Sequence, residues 1–221
     1  MPTSLTNYAT ARHNMVLSQL EPNRVNDPAV TKAMDTLPRE KFVPEALAGV
    51  AYLDEDLQIA PGRYLMEPRV CGGLVQAAKV RTDDVVLDVG CGTGYSSALL
   101  AFLGATVVAL ESDAGLAAQA SEILTALSVE NAAVVSGDLA AGLPDQGPFD
   151  VIMLGGAIPA VPDALCRQLA EGGRLLAVLG NGRMGEATLL SWSAGVLSRR
   201  SLFDAALAPL PGFEPAAEFS F

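Results

Sequence analysis

Leu87-Asp88-Val89-Gly90-Cys91-Gly92-Thr93-Gly94-Tyr95 is the stretch that decides the fold. An apolar, β-prone run ends in three alternate glycines, and a helix-forming segment opens at Tyr95. Glycine lets a backbone turn tightly and approach a ligand closely, and the helix start behind the loop presents unpaired amides. The pattern predicts a buried strand at Val85–Val89, a ligand-binding loop and a helix at Tyr95–Leu103. The spacing is G-x-G-x-G, one residue shorter than the G-x-G-x-x-G of dinucleotide binders, and Asp88 precedes the first glycine by two positions.

Working outward, short β-rich runs alternate with helical ones. Strands are expected at Thr106–Leu110, Ala132–Val135, Phe149–Leu154 and Arg174–Leu179, and helices at Asp113–Leu127 and Pro162–Ala170. Such alternation predicts an α/β, Rossmann-like, doubly wound and mostly parallel sheet with helices on both faces. Ala187–Trp192 and Val196–Leu202, joined by Ser193-Ala194-Gly195, read as an antiparallel hairpin on the sheet edge. The first 80 residues lack strong strand signals. They predict helices at Thr6–Leu20, from Asp27 with Pro28 in its first turn, and from Pro68 toward Val80, with a loop at Ala60-Pro61-Gly62. Two units are therefore expected: residues 1–80, an N-terminal helical subdomain with a substrate loop, and residues 81–221, the ligand-binding core.

Composition narrows the partners. Of 221 residues, 14 are Lys or Arg and 25 are Asp or Glu, a formal net charge of −11, which disfavours nucleic acid and anionic membrane as partners. No apolar run reaches the roughly 18 residues of a membrane span, and the first residues lack a signal-peptide core, so a cytoplasmic location is expected. Cys71, Cys91 and Cys166 are far apart and His13 is the only histidine, so no zinc set is supported and buried free thiols are expected.

Glu111 follows the second core strand, 21 residues after Gly90, where a carboxylate can accept both ribose hydroxyls. Gly137-Asp138 follows the third. Three acids at successive strand ends converge on one crevice, the expected ligand position in an open α/β sheet. The glycine loop with its preceding acid resembles the first motif of class I methyltransferases. That resemblance implies S-adenosylmethionine as cofactor, with S-adenosylhomocysteine as product. It would be held by Asp88, Gly90, Cys91, Gly92, Gly94 and Tyr95, with Glu111 and Ser112 at the ribose and Asp138 and Leu139 at the adenine. No metal is implied.

With its flanks, the chain resembles the protein-L-isoaspartate O-methyltransferases over nearly its whole length. The specific part is the leader, Pro38-Arg39-Glu40 with Phe42-Val43-Pro44 and Ala51-Tyr52-x-Asp54. Pro148-Phe149-Asp150, Ala157-x-Pro159 and Gly172-Gly173-Arg174-Leu175 also match. The resemblance implies methylation of the α-carboxylate of isoaspartyl or D-aspartyl residues in proteins, a repair reaction. Such a carboxylate is ionised at neutral pH, so alignment and desolvation suffice without a general base. The family's substrate loop reads G-Q-T-I-S-x-P, and its hydroxyls contact the acceptor carboxylate; here it is Gly62-Arg63-Tyr64-Leu65-Met66-Glu67-Pro68. Met66 stands in the serine position and Tyr64 in that of the threonine. A thioether cannot donate to an anionic oxygen, so Arg63 and Arg69 become candidate carboxylate contacts. Cofactor contacts are expected from the strand ends and acceptor contacts from this loop. Ala208-Pro209-Leu210 falls where the family has F-V-P-L on the substrate side. The sequence leaves open an isoaspartyl methyltransferase, a related enzyme with another acceptor, and a non-catalytic cofactor-binding sensor.

Overall fold

The computed structural model describes residues 7–214; Thr6, the first residue of the first expected helix, lies outside them. Helix α1, Tyr8–Met15, starts where the Asn7 side chain accepts the Thr10 amide. The chain then widens into a π-helical turn, Val16–Leu20, and a 3-10 turn, Glu21–Asn23. In α2, Pro28–Thr36, Asp27 caps the Ala29 and Val30 amides and proline fills the first turn, as its sequence predicts. Pro38 and Pro44 precede two 3-10 turns, Arg39–Phe42 and Glu45–Val50.

The next segment departs from expectation. Leu57–Ala60 (β1) and Arg63–Leu65 (β2) pair antiparallel, with Pro61-Gly62 as the turn. Strands this short show no usable period of two, so only their turn was legible. Helix α3, Pro68–Ala78, ends at the left-handed residue Lys79.

The core sheet comprises β3 (Val85–Val89), β4 (Thr106–Glu111), β5 (Ala132–Ser136), β6 (Phe149–Ile158), β7 (Leu169–Gly180), β8 (Gly185–Ser193) and β9 (Val196–Asp204), in the order β5-β4-β3-β6-β7-β8-β9. Strands β3 to β7 pair in parallel, and β8 and β9 form the antiparallel edge hairpin. The chain runs outward from β3 to β5 and returns to β6 on the other side of β3. That reversal leaves a crevice at the carboxyl end of β3. Between strands lie α4 (Tyr95–Phe102), α5 (Ala114–Ala126) and α6 (Asp163–Cys166). The helix expected at Pro162–Ala170 is thus a single turn. Leu165 and Leu169 have helical spacing, but Leu169 already pairs with Phe149 in the sheet.

Alternate strand residues divide between two apolar clusters. Val86, Val107, Val151 and Leu176 join α3, α4, α5 and the leader residues Met15, Leu20, Met34 and Phe42. Leu87, Leu110, Ile152 and Leu175 join Leu139, Leu165, Leu210 and Phe213. The second face therefore carries far less helix than the βα alternation predicts. Leader and sheet share the first cluster, which fixes the β1–β2 hairpin over the crevice.

Candidate functional site

The loop after β3 has the geometry its glycines suggest. Gly90, Gly92 and Gly94 have φ of +74°, +59° and +92°, values that cost an L side chain roughly 1–2 kcal/mol each. The amides of Gly90 and Cys91 both donate to the Leu110 carbonyl, at 2.8 and 3.2 Å, so the loop is tied to the end of β4. The Thr93 hydroxyl donates to the Phe42 carbonyl at 2.6 Å and ties it to the leader.

Asp88 is fully buried. Its Oδ2 accepts the Ser96 and Ser97 hydroxyls at 2.7 and 2.6 Å, while Oδ1 has no partner. Burial pushes its carboxyl up to about 6, opposed by the two serine hydrogen bonds and reinforced by the nearby Glu111 charge. Cys91, beside it, is raised well above an ordinary thiol by the same burial, with Asp88 and Glu111 adding to it. It stays a neutral thiol. Cys71 is also buried and Cys166 half-buried, all three free.

Glu111 is also fully buried and is saturated. It accepts the amides of Gly92 at 2.7 Å, Ser112 at 2.8 Å and Asp113 at 3.0 Å. Both of its oxygens also accept from the Arg63 guanidinium, Nη2 at 2.7 Å and Nη1 closing the fork. Nη2 reaches the Gly90 carbonyl as well, at 3.1 Å. The sequence suggested Arg63 as a candidate contact to the acceptor carboxylate; the structure buries it on the carboxylate expected for the ribose. A residue of the expected acceptor loop thus meets an acid expected to hold the cofactor.

The rest of the hairpin follows Arg63 onto the loop. A Cβ on Gly92 would meet Ile59 Cδ1 at 2.8 Å, and one on Gly90 would meet Leu210 Cδ1 at 2.6 Å. Leu210 is delivered by the segment Ala208-Pro209-Leu210, which bridges to Ala157 at the end of β6. Tyr64 and Met66 line small cavities beside Gly155, one of which also touches Gly90 and Cys91; each holds about 10 Å³, room for roughly one water. Arg69 lies outside this cluster, paired with Glu67 at 2.8 Å.

Asp138 is exposed, and its Oδ1 accepts the Ala140 and Ala141 amides at 2.8 and 3.2 Å. It caps a turn with one oxygen and leaves the other to solvent. Leu139 is buried in the second apolar cluster, which also holds Leu110 and Leu87.

Residues that sequence reasoning did not single out complete the arrangement. Arg39, fully buried, donates to the carbonyls of Ala51 and Met66, both at 2.6 Å, and stacks over the Tyr95 ring at 4.9 Å. Asp56 accepts the Glu67 amide at 2.9 Å and the Ala208 amide at 3.2 Å, pinning the hairpin stem to the C-terminal segment. The Pro38-Arg39-Glu40 motif was the available signal for Arg39. Asp56 carried none, because its partners are distant backbone amides.

Sheet order, glycine loop and strand-end acids define a Rossmann-like methyltransferase fold. Solved structures agree: a protein-L-isoaspartate O-methyltransferase superimposes with a TM-score of 0.77 at 23% identity, covering 91% of this chain and 67% of that one. A Plasmodium falciparum protein described as a putative protein-L-isoaspartate O-methyltransferase, in complex with S-adenosyl-L-homocysteine, gives 0.78 at 20% identity, covering 93% and 99%. The family profile described as protein-L-isoaspartate(D-aspartate) O-methyltransferase matches residues 11–207. A Koribacter versatilis protein-L-isoaspartate O-methyltransferase is 40% identical over 96% of this chain and 97% of its own length. One from Methylorubrum extorquens is 42% identical over 82% and 78%. The chain belongs to the protein-L-isoaspartate (D-aspartate) O-methyltransferase family. Among the described residues no acid, His or Cys cluster could hold a metal, and no helix is long and apolar enough to cross a membrane.

Proposed function

We propose that the chain is an S-adenosylmethionine-dependent carboxyl methyltransferase acting on isoaspartyl residues of proteins. The observation that carries this is the left-handed glycine loop at the switch point of the sheet, flanked by two fully buried acids, Asp88 and Glu111. The donor set suits the cofactor. Asp88 Oδ1 is a buried acceptor with no partner, suited to a cationic amine, and Glu111 is a strand-end carboxylate suited to ribose hydroxyls once its fork with Arg63 opens. Gly90, Cys91, Gly92, Gly94 and Tyr95 would surround the aminoacid part, with Ser112 beside the ribose and Asp138 and Leu139 at the adenine.

When bound, the cofactor supplies an electrophilic methyl on sulfur. The chain's own residues supply alignment and dryness. Arg39 holds the Met66 carbonyl and so sets the acceptor loop against the core, while Ile59, Leu210 and Met66 exclude water. Tyr64 and Met66 face the crevice on the acceptor side. Residence in the cytoplasm, without nucleic-acid or lipid partners, accords with the charge of −11. Incubation with labelled S-adenosylmethionine and an isoaspartyl peptide, beside its normal aspartyl twin, tests the proposal. Labelling of the first peptide alone is expected; labelling of neither would sink it.

A further inference from the structure

We propose that Arg63 is an internal competitor for the cofactor site, so that S-adenosylmethionine and S-adenosylhomocysteine gain Glu111 only when the β1–β2 hairpin lifts. The inference rests on the reading that Glu111 takes the ribose. Arg63 is 5% exposed, forks onto both Glu111 oxygens and bonds the Gly90 carbonyl. With the three backbone amides that Glu111 also accepts, the carboxylate has no oxygen to spare for a ligand hydroxyl. The glycine loop is likewise covered, by Ile59 over Gly92 and Leu210 over Gly90. The cavity that touches it at Gly90 and Cys91 is about 10 Å³, far below the several hundred Å³ of a ligand pocket.

The hairpin is built to move at one end. Its stem is pinned, with Asp56 on the Glu67 and Ala208 amides and Arg39 on the Ala51 and Met66 carbonyls. Its tip is not. Gly62 has φ +69° and open space where a Cβ would stand, and β1 and β2 pair with each other in a separate two-stranded sheet. A swing about the pinned stem would carry the turn, with Ile59 and Arg63, off the loop together. Arg63 would then reach solvent, where a guanidinium is stable, and the freed Glu111 would still hold its three amides. A ligand whose binding-competent state is only partly populated binds with apparent affinity reduced by that fraction. Weakening the closed state therefore strengthens binding.

The test is calorimetric titration of S-adenosylhomocysteine into wild type, Arg63→Gln and Arg63→Lys, each first shown to melt cooperatively. Hydrogen bonds to a charged group set the scale, so Arg63→Gln is expected to bind roughly tenfold to hundredfold tighter. Arg63→Lys keeps the charge without the fork and should fall between the two. It also keeps the test open if the glutamine variant does not fold. Variants that bind no tighter than a binding-competent wild type overturn the competitor role and leave the cofactor reading standing. If neither wild type nor variants bind the probe, the assignment of Glu111 to the cofactor falls, and the competition with it.

Discussion

Glu111 ends a six-residue strand paired on both sides, whereas its partner Arg63 opens a three-residue strand paired on one side only. The first belongs to the parallel sheet, where neighbours on every side hold the backbone. The second belongs to a cover held by hydrogen bonds at its stem, by the Arg63 fork and by Leu57, Ile59 and Leu65 in the first apolar cluster. The contrast separates what the fold cannot change from what it can. Gly90 to Gly94 and the strand-end acids are placed by the sheet itself, while the side chains laid over them can be exchanged or lifted without disturbing it. The glycine loop and the strand-end acids, on which the methyltransferase resemblance rests, lie in the first set. The exchange of a glutamine position for Arg63 and a serine position for Met66 lies wholly in the second.

Removing the shared carboxylate should break the comparison most severely. Glu111→Ala strips acceptors from the amides of Gly92, Ser112 and Asp113 and leaves Arg63 without its fork. A buried pair broken on one side typically costs about 3–5 kcal/mol, read as a shift in the denaturant midpoint. Binding of S-adenosylhomocysteine should be lost with it. A cost below about 1 kcal/mol would mean that the strand-end half is no more rigid than its cover.

The rigid half also carries a pH signature. Asp88 has a folded pKa of about 6 against an ordinary 3.8, chiefly from burial. The folded state thus holds this proton more tightly than the unfolded chain. The contribution of Asp88 is most favourable below the unfolded value and is lost as pH rises through about 6. Asp88→Asn has no such proton. Between pH 4 and pH 7 the stability of wild type relative to this variant should fall by on the order of 3 kcal/mol. Paired melts across that window check it, and a constant difference would show that Asp88 is not desolvated.

The same division explains what could be read from the sequence. Strands β3 to β5, the edge hairpin, the Asp27 cap and the glycine loop follow from local periodicity and turn chemistry, and all were legible. Strand β6 reaches Ile158, beyond the expected Leu154, and β7 begins at Leu169 inside an expected helix, because sheet pairing overrode local helical spacing. Strands β1 and β2 are too short to signal. The fork of Arg63 joins residues 48 positions apart, so nothing local marks that arginine as buried. Asp138, read as a ligand contact at a strand end, also caps its own turn with one oxygen, a role that aspartate's turn chemistry carries by itself.

On the covering half, Met66→Ser sharpens the acceptor side. Met66 is 6% exposed, so truncation should cost about 2 kcal/mol of stability through the cavity it leaves. Its carbonyl remains with Arg39, so the loop keeps its place. A hydroxyl donating to the acceptor carboxylate should raise kcat/KM on an isoaspartyl peptide roughly tenfold to hundredfold, with S-adenosylhomocysteine affinity unchanged. If activity stays flat while binding holds, Tyr64 is the next residue to test as the carboxylate contact.

The smallest expected effect comes from comparing one glycine in each half. Gly62 and Gly90 have nearly the same φ, +69° and +74°, but only Gly90 is crowded, with Leu210 Cδ1 at 2.6 Å and Arg63 Nη2 at 3.4 Å from a built Cβ. The backbone penalty of alanine is common to both, about 1–2 kcal/mol. At Gly62 nothing adds to it, and for a chain of this length about 1 kcal/mol lowers Tm by roughly 2–4 °C. At Gly90 the clash adds to the strain, so Gly90→Ala should lose clearly more stability and its ligand affinity as well. Gly62→Ala should instead leave the cofactor half intact. Because a left-handed alanine strains the closed turn, its S-adenosylhomocysteine affinity should hold or rise slightly. Equal losses of Tm in the two variants would show that the hairpin tip is as tightly packed as the glycine loop, and so not free to lift with Arg63.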